Sequence, residues 1–273
     1  MTRVGEIIRE LRTLSAIYGF DPVLLVKSLA QTPKFIRDYV TFSRMKRGMP
    51  DWPLAMPYPC FNDRGEHAGA IKTHYFHQDL LVAGRIHARN PVRHIDVGSR
   101  IDGFVAHVAS FRPIEIMDIR PLDVRIPNVS FLQADLMRPA QDGEGICDSL
   151  SCLHALEHFG LGRYGDTLDA NGHASGFANL VRLLVPGGIF YFSVPIGPQR
   201  VAFNAHRVFG LPYLVTMFEK NGLTVEAFAY VDDCGDLHDD QPLSSSLVST
   251  NCGVRYGCGI FELKRSSDVT SGL

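Results

Sequence analysis

The stretch from Arg93 to Phe104, R-H-I-D-V-G-S-R-I-D-G-F, constrains this chain more than any other. Val92, Ile95 and Val97 are apolar and β-branched, the pattern of a buried strand, and the strand is expected to end at Gly98. A tight polar loop, Ser99 to Asp102, follows, and Gly103-Phe-Val-Ala-His-Val-Ala then reads as a helix. A strand, a glycine turn and a helix start together make a cradle for a nucleotide-like ligand. Glycine lets backbone N–H groups come close to a ligand, and a helix N-terminus presents unpaired donors with a partial positive charge.

The remaining segments read as a sheet built around that turn. Residues 3–18 space Val4, Ile7, Ile8, Leu11, Leu14 and Ile17 as an amphipathic helix. Asp21-Pro22 opens a second helix and Pro33 a third, reaching about Lys46. Gly48 to Gly69, rich in Pro, Gly and polar residues, reads as an extended connector, and residues 74–86 as a helix leading into the first strand. Further strands are expected at Ile114–Asp118, Val129–Leu132, Cys147–Leu153, Ile189–Val194, Val225–Val231 and Arg255–Leu263, with helices at Ser175–Leu184 and Val208–Asn221. This alternation predicts an α/β fold: a Rossmann-like, doubly wound, mainly parallel seven-stranded sheet with an N-terminal helical cap. The boundaries are 1–47 for the cap, 48–90 for the connector and leading helix, 91–264 for the sheet domain and 265–273 for a tail.

A length of 273 residues suits one such domain with an accessory segment better than two full domains. Charged residues make up 21% and the net charge is −2, so nothing favours nucleic acid or an anionic membrane. The first ten residues carry charges where a signal peptide would need an apolar core, and no apolar run has the length of a membrane span. The six cysteines form no C-x-x-C pair and read as reduced, mostly buried thiols. The expectation is a soluble cytoplasmic protein with no integral membrane segment and no nucleic-acid partner, with a homodimer left open.

Three cradles compete for the central turn. Gly98 and Gly103 have P-loop spacing, but Phe104 and Val105 stand where Lys and Ser/Thr are needed. A dinucleotide fingerprint needs a glycine where Arg100 sits, which disfavours NAD. The third is the S-adenosylmethionine cradle. From about residue 92 to 264 the chain resembles class I S-adenosylmethionine-dependent methyltransferases. Asp96-Val-Gly98-Ser99-Arg100-Ile-Asp102-Gly103 is similar to that family's first motif, and Asp118 closes the second strand where the family holds the ribose hydroxyls. Asp135 in F-L-Q-A-D-L matches the family's adenine-side carboxylate; H-A-L-E-H (154–158) is similar to its L-E-H motif, and Leu184-Val-Pro-Gly-Gly188 to its L-x-P-G-G turn. A narrower resemblance rests on H-Y-F-H-Q-D-L, D-V-G-S-R-I-D-G-F, S-L-S-C-L-H-A-L-E-H, G-L-G-R-Y-G-D and F-N-A-H-R-V-F. These look like the DUF268 family of methyltransferase-like proteins, found in nematodes and bacteria, which implies surface-polysaccharide biosynthesis without an established reaction.

The resemblance places the cofactor, S-adenosyl-L-methionine, on Asp96, Gly98, Ser99, Arg100, Gly103, Asp118, Asp135 and Leu153. Asp96 either caps the turn's N–H groups or faces the cofactor amine. Asp118 suits ribose hydroxyls as a charged two-acceptor group, with a turn cap as its structural alternative. Arg100 pairs with Asp102 or Asp118, or reaches the cofactor carboxylate. Glu157 and His158 line the acceptor side; His158 has the intrinsic pKa of a base near neutrality, or else bonds only to backbone. The same H-x-x-E-H order occurs in one zinc peptidase class, but His154 directly follows a strand, so the helical geometry is not expected and no metal is assigned. The glycine-rich loop with Tyr164 and Asp166, and the segment with Asn204, His206 and Arg207, offer substrate contacts. His74 and His77 read as a solvated helix face, with closure of the pocket from the N-terminal side as the alternative.

The function expected is methyl transfer to a small-molecule or glycan hydroxyl, with His206 or His158 removing the acceptor proton and Asn204 and Arg207 orienting the acceptor. Alignment and exclusion of water are then the protein's main tasks. Two alternatives stand beside it: a catalytically inactive methyltransferase-like binding or assembly protein, and a nucleotide-sugar or NAD enzyme on a similar sheet.

Overall fold

A computed structural model describes residue 12 and residues 15–47, 54–61, 74–138 and 143–267. The chain divides into two compact units, Met1–Ala70 and Ile71–Leu273. In the first, Asp21 accepts hydrogen bonds from the backbone N–H groups of Val23 and Leu24 and caps helix α1, Pro22–Met45. The helix runs without a break through Pro33, where a new helix was expected. Proline removes one hydrogen bond, and the turns on both sides carry the helix past that gap. Most of the helix expected over residues 3–18 and most of the connector lie outside the described residues; of that helix, residues 12 and 15–17 are described and are helical.

The second unit opens with α2, His74–Arg89, and then builds the sheet. The strands are β1 His94–Val97, β2 Ile114–Asp118, β3 Val129–Gln133, β4 Cys147–Leu153 and β5 Leu184–Ile196. After the hairpin β6 Arg200–Ala202 and β7 His206–Val208 come β8 Leu223–Val231, β9 Leu237–His238 and β10 Gly257–Arg265. The main sheet has the order β3-β2-β1-β4-β5-β10-β8-β9, parallel through β5 and antiparallel beyond it. It has eight strands where seven were expected, because the two-residue β9 folds back onto β8. Asp232 makes that return by accepting from the backbone N–H groups of Cys234 and Asp236. The hairpin β6–β7 stands apart, so Arg207 is a strand residue and the following helix begins only at Leu211. β5 starts five residues before the expected Ile189, and a bulge opposite Cys147–Ser149 takes up Pro186-Gly187-Gly188.

Helices cover both faces of the sheet. Val82, Ala83 and Ile86 of α2 pack with Phe104, Val105 and Val108 on one side. The other side holds α4, Gly172–Leu183, and α5, Leu211–Lys220, with Phe177 and Phe218 against Phe190, Phe192 and Phe261. The short helix α3, Ala106–Ala109, follows a wide π-type turn over Ile101–Val105. Strand order reverses between β1 and β4, and the crevice at their carboxyl ends is where such sheets bind ligands.

Candidate cofactor and acceptor site

β1 ends at Gly98, whose φ of +71° lies in the left-handed region. A Cβ there would sit 2.9 Å from the Ala155 Cβ at the end of β4, so only glycine lets the two strand ends close together. Beneath this turn Asp96 is fully buried. Its carboxylate accepts from the Ser99 N–H (3.2 Å) and hydroxyl (2.8 Å), and from the Ser151 hydroxyl across the register pair on β4 (2.5 Å). His94 continues this buried chain, contacting Ser149 and Ser151. Burial raises the Asp96 pKa to about 7 against these hydrogen bonds, which lower it. Asp96 thus shapes the turn from below. At Gly103 a Cβ would lie 2.7 Å from a carboxylate oxygen of Asp79 on α2, so a larger residue there would require that side chain to shift.

Around Gly98 a cavity of about 570 Å³ opens at the carboxyl ends of β1 to β4. Its walls include Asp118, Arg120, Asp135, His154, His158, Tyr164 and Asp166. Asp118 closes β2 and accepts from Arg120 three times: from its backbone N–H (2.8 Å), Nε (3.0 Å) and Nη2 (2.7 Å). The Arg120 guanidinium in turn lies 4.5 Å from the centre of the Tyr164 ring. Asp118 and Arg120 also line a more open hollow on the far side, shared with Ser99, Arg100 and Asp102, so their ion pair stands between the two spaces. Asp135 caps its own turn by accepting from the Met137 N–H.

On the β4 side, His154 leaves the strand with φ +52°, a turn conformation, and Leu156–His158 forms one 3₁₀ turn. The two histidines therefore do not share a helix face. His154 Nδ1 meets the buried Glu157 carboxylate at 2.7 Å. Burial alone would depress His154, yet Cys258 and Glu157 outweigh it and raise its pKa well above 6.5. Burial pushes Glu157 upward, and His154 overrides it to hold the carboxyl low. Glu157 Oε2 and His154 Nε2 remain buried without hydrogen-bond partners. His158 contacts the Ala205 carbonyl through Nδ1 at 2.7 Å. A carbonyl can only accept, so Nδ1 carries the proton and Nε2 keeps its lone pair. Burial lowers the His158 pKa, favouring that neutral form.

The cavity brings together Gly98, Asp118, Asp135, His158, Tyr164 and Asp166. The other expected residues lie elsewhere. Arg100 is turned outward onto Asp102 (2.8 Å), Ser99 lies on the far hollow, and Leu153 is core. Asn204 is exposed in the β6–β7 turn. The His206 ring lies against that of Tyr256, with centroids 5.2 Å apart and planes tilted by 45°. Arg207 is buried, and its guanidinium donates to the carbonyls of Phe159, Glu157 and Ala170. Asp166 gathers its loop by accepting from the N–H groups of Gly160, Gly162 and Tyr164. His74, expected on a solvated face, instead stacks on His154. The sequence reading passed over Arg120 and Ser151. Asp-x-Arg after a strand and Ser-x-Ser on one face of β4 were the available signals.

Residues 115–235 match the family model described as Caenorhabditis protein of unknown function, DUF268. Over those residues the chain resembles that family, and its sheet has the Rossmann-like fold. Among solved structures, the [4+2]-cyclase SpnF is similar with a TM-score of 0.51 at 15% identity, over 70% of this chain and 82% of its own. The 1,6-didemethyltoxoflavin-N1-methyltransferase of Burkholderia thailandensis, solved with S-adenosylhomocysteine, gives 0.48 at 16%, over 70% and 79%. The N-methyltransferase NodS of Bradyrhizobium japonicum WM9, also with S-adenosylhomocysteine, gives 0.46 at 14%, over 69% and 85%. No curated protein matches this chain. A shared fold does not carry a shared reaction.

Proposed function

We propose that the cavity binds S-adenosyl-L-methionine and that this protein methylates a hydroxyl of a small, sugar-like acceptor. The observation that supports it most is Asp118, a two-oxygen anion at the end of β2 beside the glycine cradle of Gly98. When bound, the cofactor supplies an electrophilic methyl carbon whose bond to sulfur breaks as an acceptor oxygen attacks. Asp118 accepts hydrogen bonds from the ribose diol, and Arg120 yields its place on that carboxylate or shares it. Asp135 stands on the adenine side. Tyr164, held by the Asp166 loop and stacked on Arg120, covers the cavity and excludes water. His158 receives the acceptor proton at Nε2 while Nδ1–H stays on the Ala205 carbonyl. His206, away from this cavity, is the weaker candidate base. Surface-polysaccharide biosynthesis is the finer part of this proposal and rests on the family resemblance.

Calorimetric titration with S-adenosylhomocysteine tests the cofactor assignment without an acceptor. Asp118→Ala is expected to weaken binding about 10–100-fold, the range for losing one charge-assisted hydrogen bond. His158→Gln is expected to keep that affinity and to slow methylation in an acceptor screen about 10²–10⁴-fold. No binding by the unmodified protein, or unchanged binding by Asp118→Ala, overturns the assignment.

A further inference from the structure

Where His154 lines the cavity lies a cluster whose side chains the proposed reaction does not use. His74 opens α2, His154 sits on the turn after β4, and Cys258 lies in β10. One ligand atom from each lies within 4.8 Å of the other two. His154 and Cys258 are buried and His74 is half-buried. The two imidazoles are nearly parallel, 14° apart, with centroids separated by 5.4 Å. From these three residues we infer that the protein binds a single zinc ion through two nitrogens and one thiolate.

The strongest argument is the state of His154. Its Nδ1 is occupied by Glu157 at 2.7 Å, while the buried Nε2 faces the Cys258 thiol and makes no hydrogen bond of normal geometry. A carboxylate on one ring nitrogen with the other not hydrogen-bonded is the arrangement of a metal-binding histidine, because the outer carboxylate fixes the ring and raises its basicity. A hydrogen bond to the Tyr256 backbone also restrains the His74 ring. Two imidazoles and a thiolate suit Zn²⁺ better than the hard cations, which seek oxygen. Zinc–nitrogen and zinc–sulfur bonds of about 2.0–2.3 Å bring tetrahedral ligand atoms about 3.3–3.6 Å apart, so the widest pair, within 4.8 Å, must tighten by up to about 1.5 Å. Side-chain rotation accommodates a change of that size. The fourth position is left to water. The bound ion ties α2, the β4 turn and β10 together, and it displaces protons from the ligands as it binds.

The test uses the full chain in a Cys60→Ser/Cys234→Ser background, which removes the two exposed thiols. The protein is stripped with chelator and kept under a phosphine reductant. Cobalt(II) titration is expected to give a near-ultraviolet thiolate-to-metal band that saturates at about one equivalent, displaced by zinc. Cys258→Ser loses the band. Glu157→Gln keeps all three ligands, so the band remains while affinity falls about 10–100-fold. Cys252→Ser titrates like its parent. Absence of the band in the parent, or its persistence in Cys258→Ser, overturns the site whatever the methylation assays show. Since the readout is the metal's own absorption, its failure is separate from failure of the cofactor assignment.

Discussion

Asp96 is a carboxyl held fully out of water by three donors, and its ionisation sets a pH dependence of stability. Burial raises its pKa to about 7 from the ordinary 3.8. The folded chain therefore holds this proton more tightly than the unfolded chain does. The stability it contributes is complete below pH 3.8 and is lost as pH rises through about 7. Asp96→Asn has no such loss, so the stability of the variant relative to the parent should improve between pH 5 and 8 by about 2–3 kcal/mol. Denaturant unfolding at the two pH values measures it, and a pH-independent difference would show that Asp96 is ionised throughout. His158 moves the opposite way. Burial depresses its pKa below 6.5, so its ring should titrate on the acid side of that value and stay neutral at pH 7. Imidazole proton signals followed by NMR, assigned through His158→Gln, decide this without any knowledge of the acceptor.

At the scale of elements, the turn after β1 carries the site because a glycine lets two strand ends meet. Gly98→Ala places a methyl group 2.9 Å from the Ala155 Cβ and forces alanine into φ +71°. The strain alone is about 1–2 kcal/mol, and the clash pushes β4 away from the cavity. Gly98→Ala should lower the melting temperature and abolish S-adenosylhomocysteine binding. Gly84→Ala in α2, with open space around it, should stabilise by about 0.5–1 kcal/mol. The placement of Gly98, Asp118 and Asp135 at or beyond strand ends was legible in the sequence, because each follows an apolar run long enough to mark a strand. β9 was not, since two residues carry no periodicity. β6 and β7 were missed for a similar reason: Arg200–Ala202 and His206–Val208 are too short to alternate. Pro33 misled in the other direction, because a proline that can open a helix can also be tolerated inside one. Arg207 shows the deepest limit. Its charge suggested a ligand, and only the folded path of Phe159 and Ala170 shows that backbone carbonyls use it.

For the whole molecule, the structural unit starts earlier than the sequence boundary at residue 91, because α2 belongs to it. Gln78 on this helix accepts from Ser193 on β5 at 2.6 Å, and Val82 and Ile86 are fully buried. Its last turns are fixed by charge. Glu262, 5% exposed in the middle of β10, pairs with Arg89, and Arg85 lies 3.8 Å from it while bonding Asp239 at 2.8 Å. Periodicity could not show this, since an acidic residue amid G-I-F-E-L-K reads as the solvent side of a strand. Removing the carboxylate by Glu262→Ala leaves two guanidinium groups facing a buried strand. Arg89 is half-exposed and Arg85 keeps Asp239, so solvent and that second partner soften the loss. The expected destabilisation is about 2 kcal/mol, between the values for exposed and buried pairs. For a unit of this size that corresponds to a fall of about 4–8 °C in melting temperature. Glu262→Gln keeps the shape and one acceptor oxygen and should recover part of it. Thermal melts of the two variants decide whether the pair holds α2 to the sheet. An unchanged melting temperature in Glu262→Ala would mean that the apolar face of Val82 and Ile86 holds the helix alone.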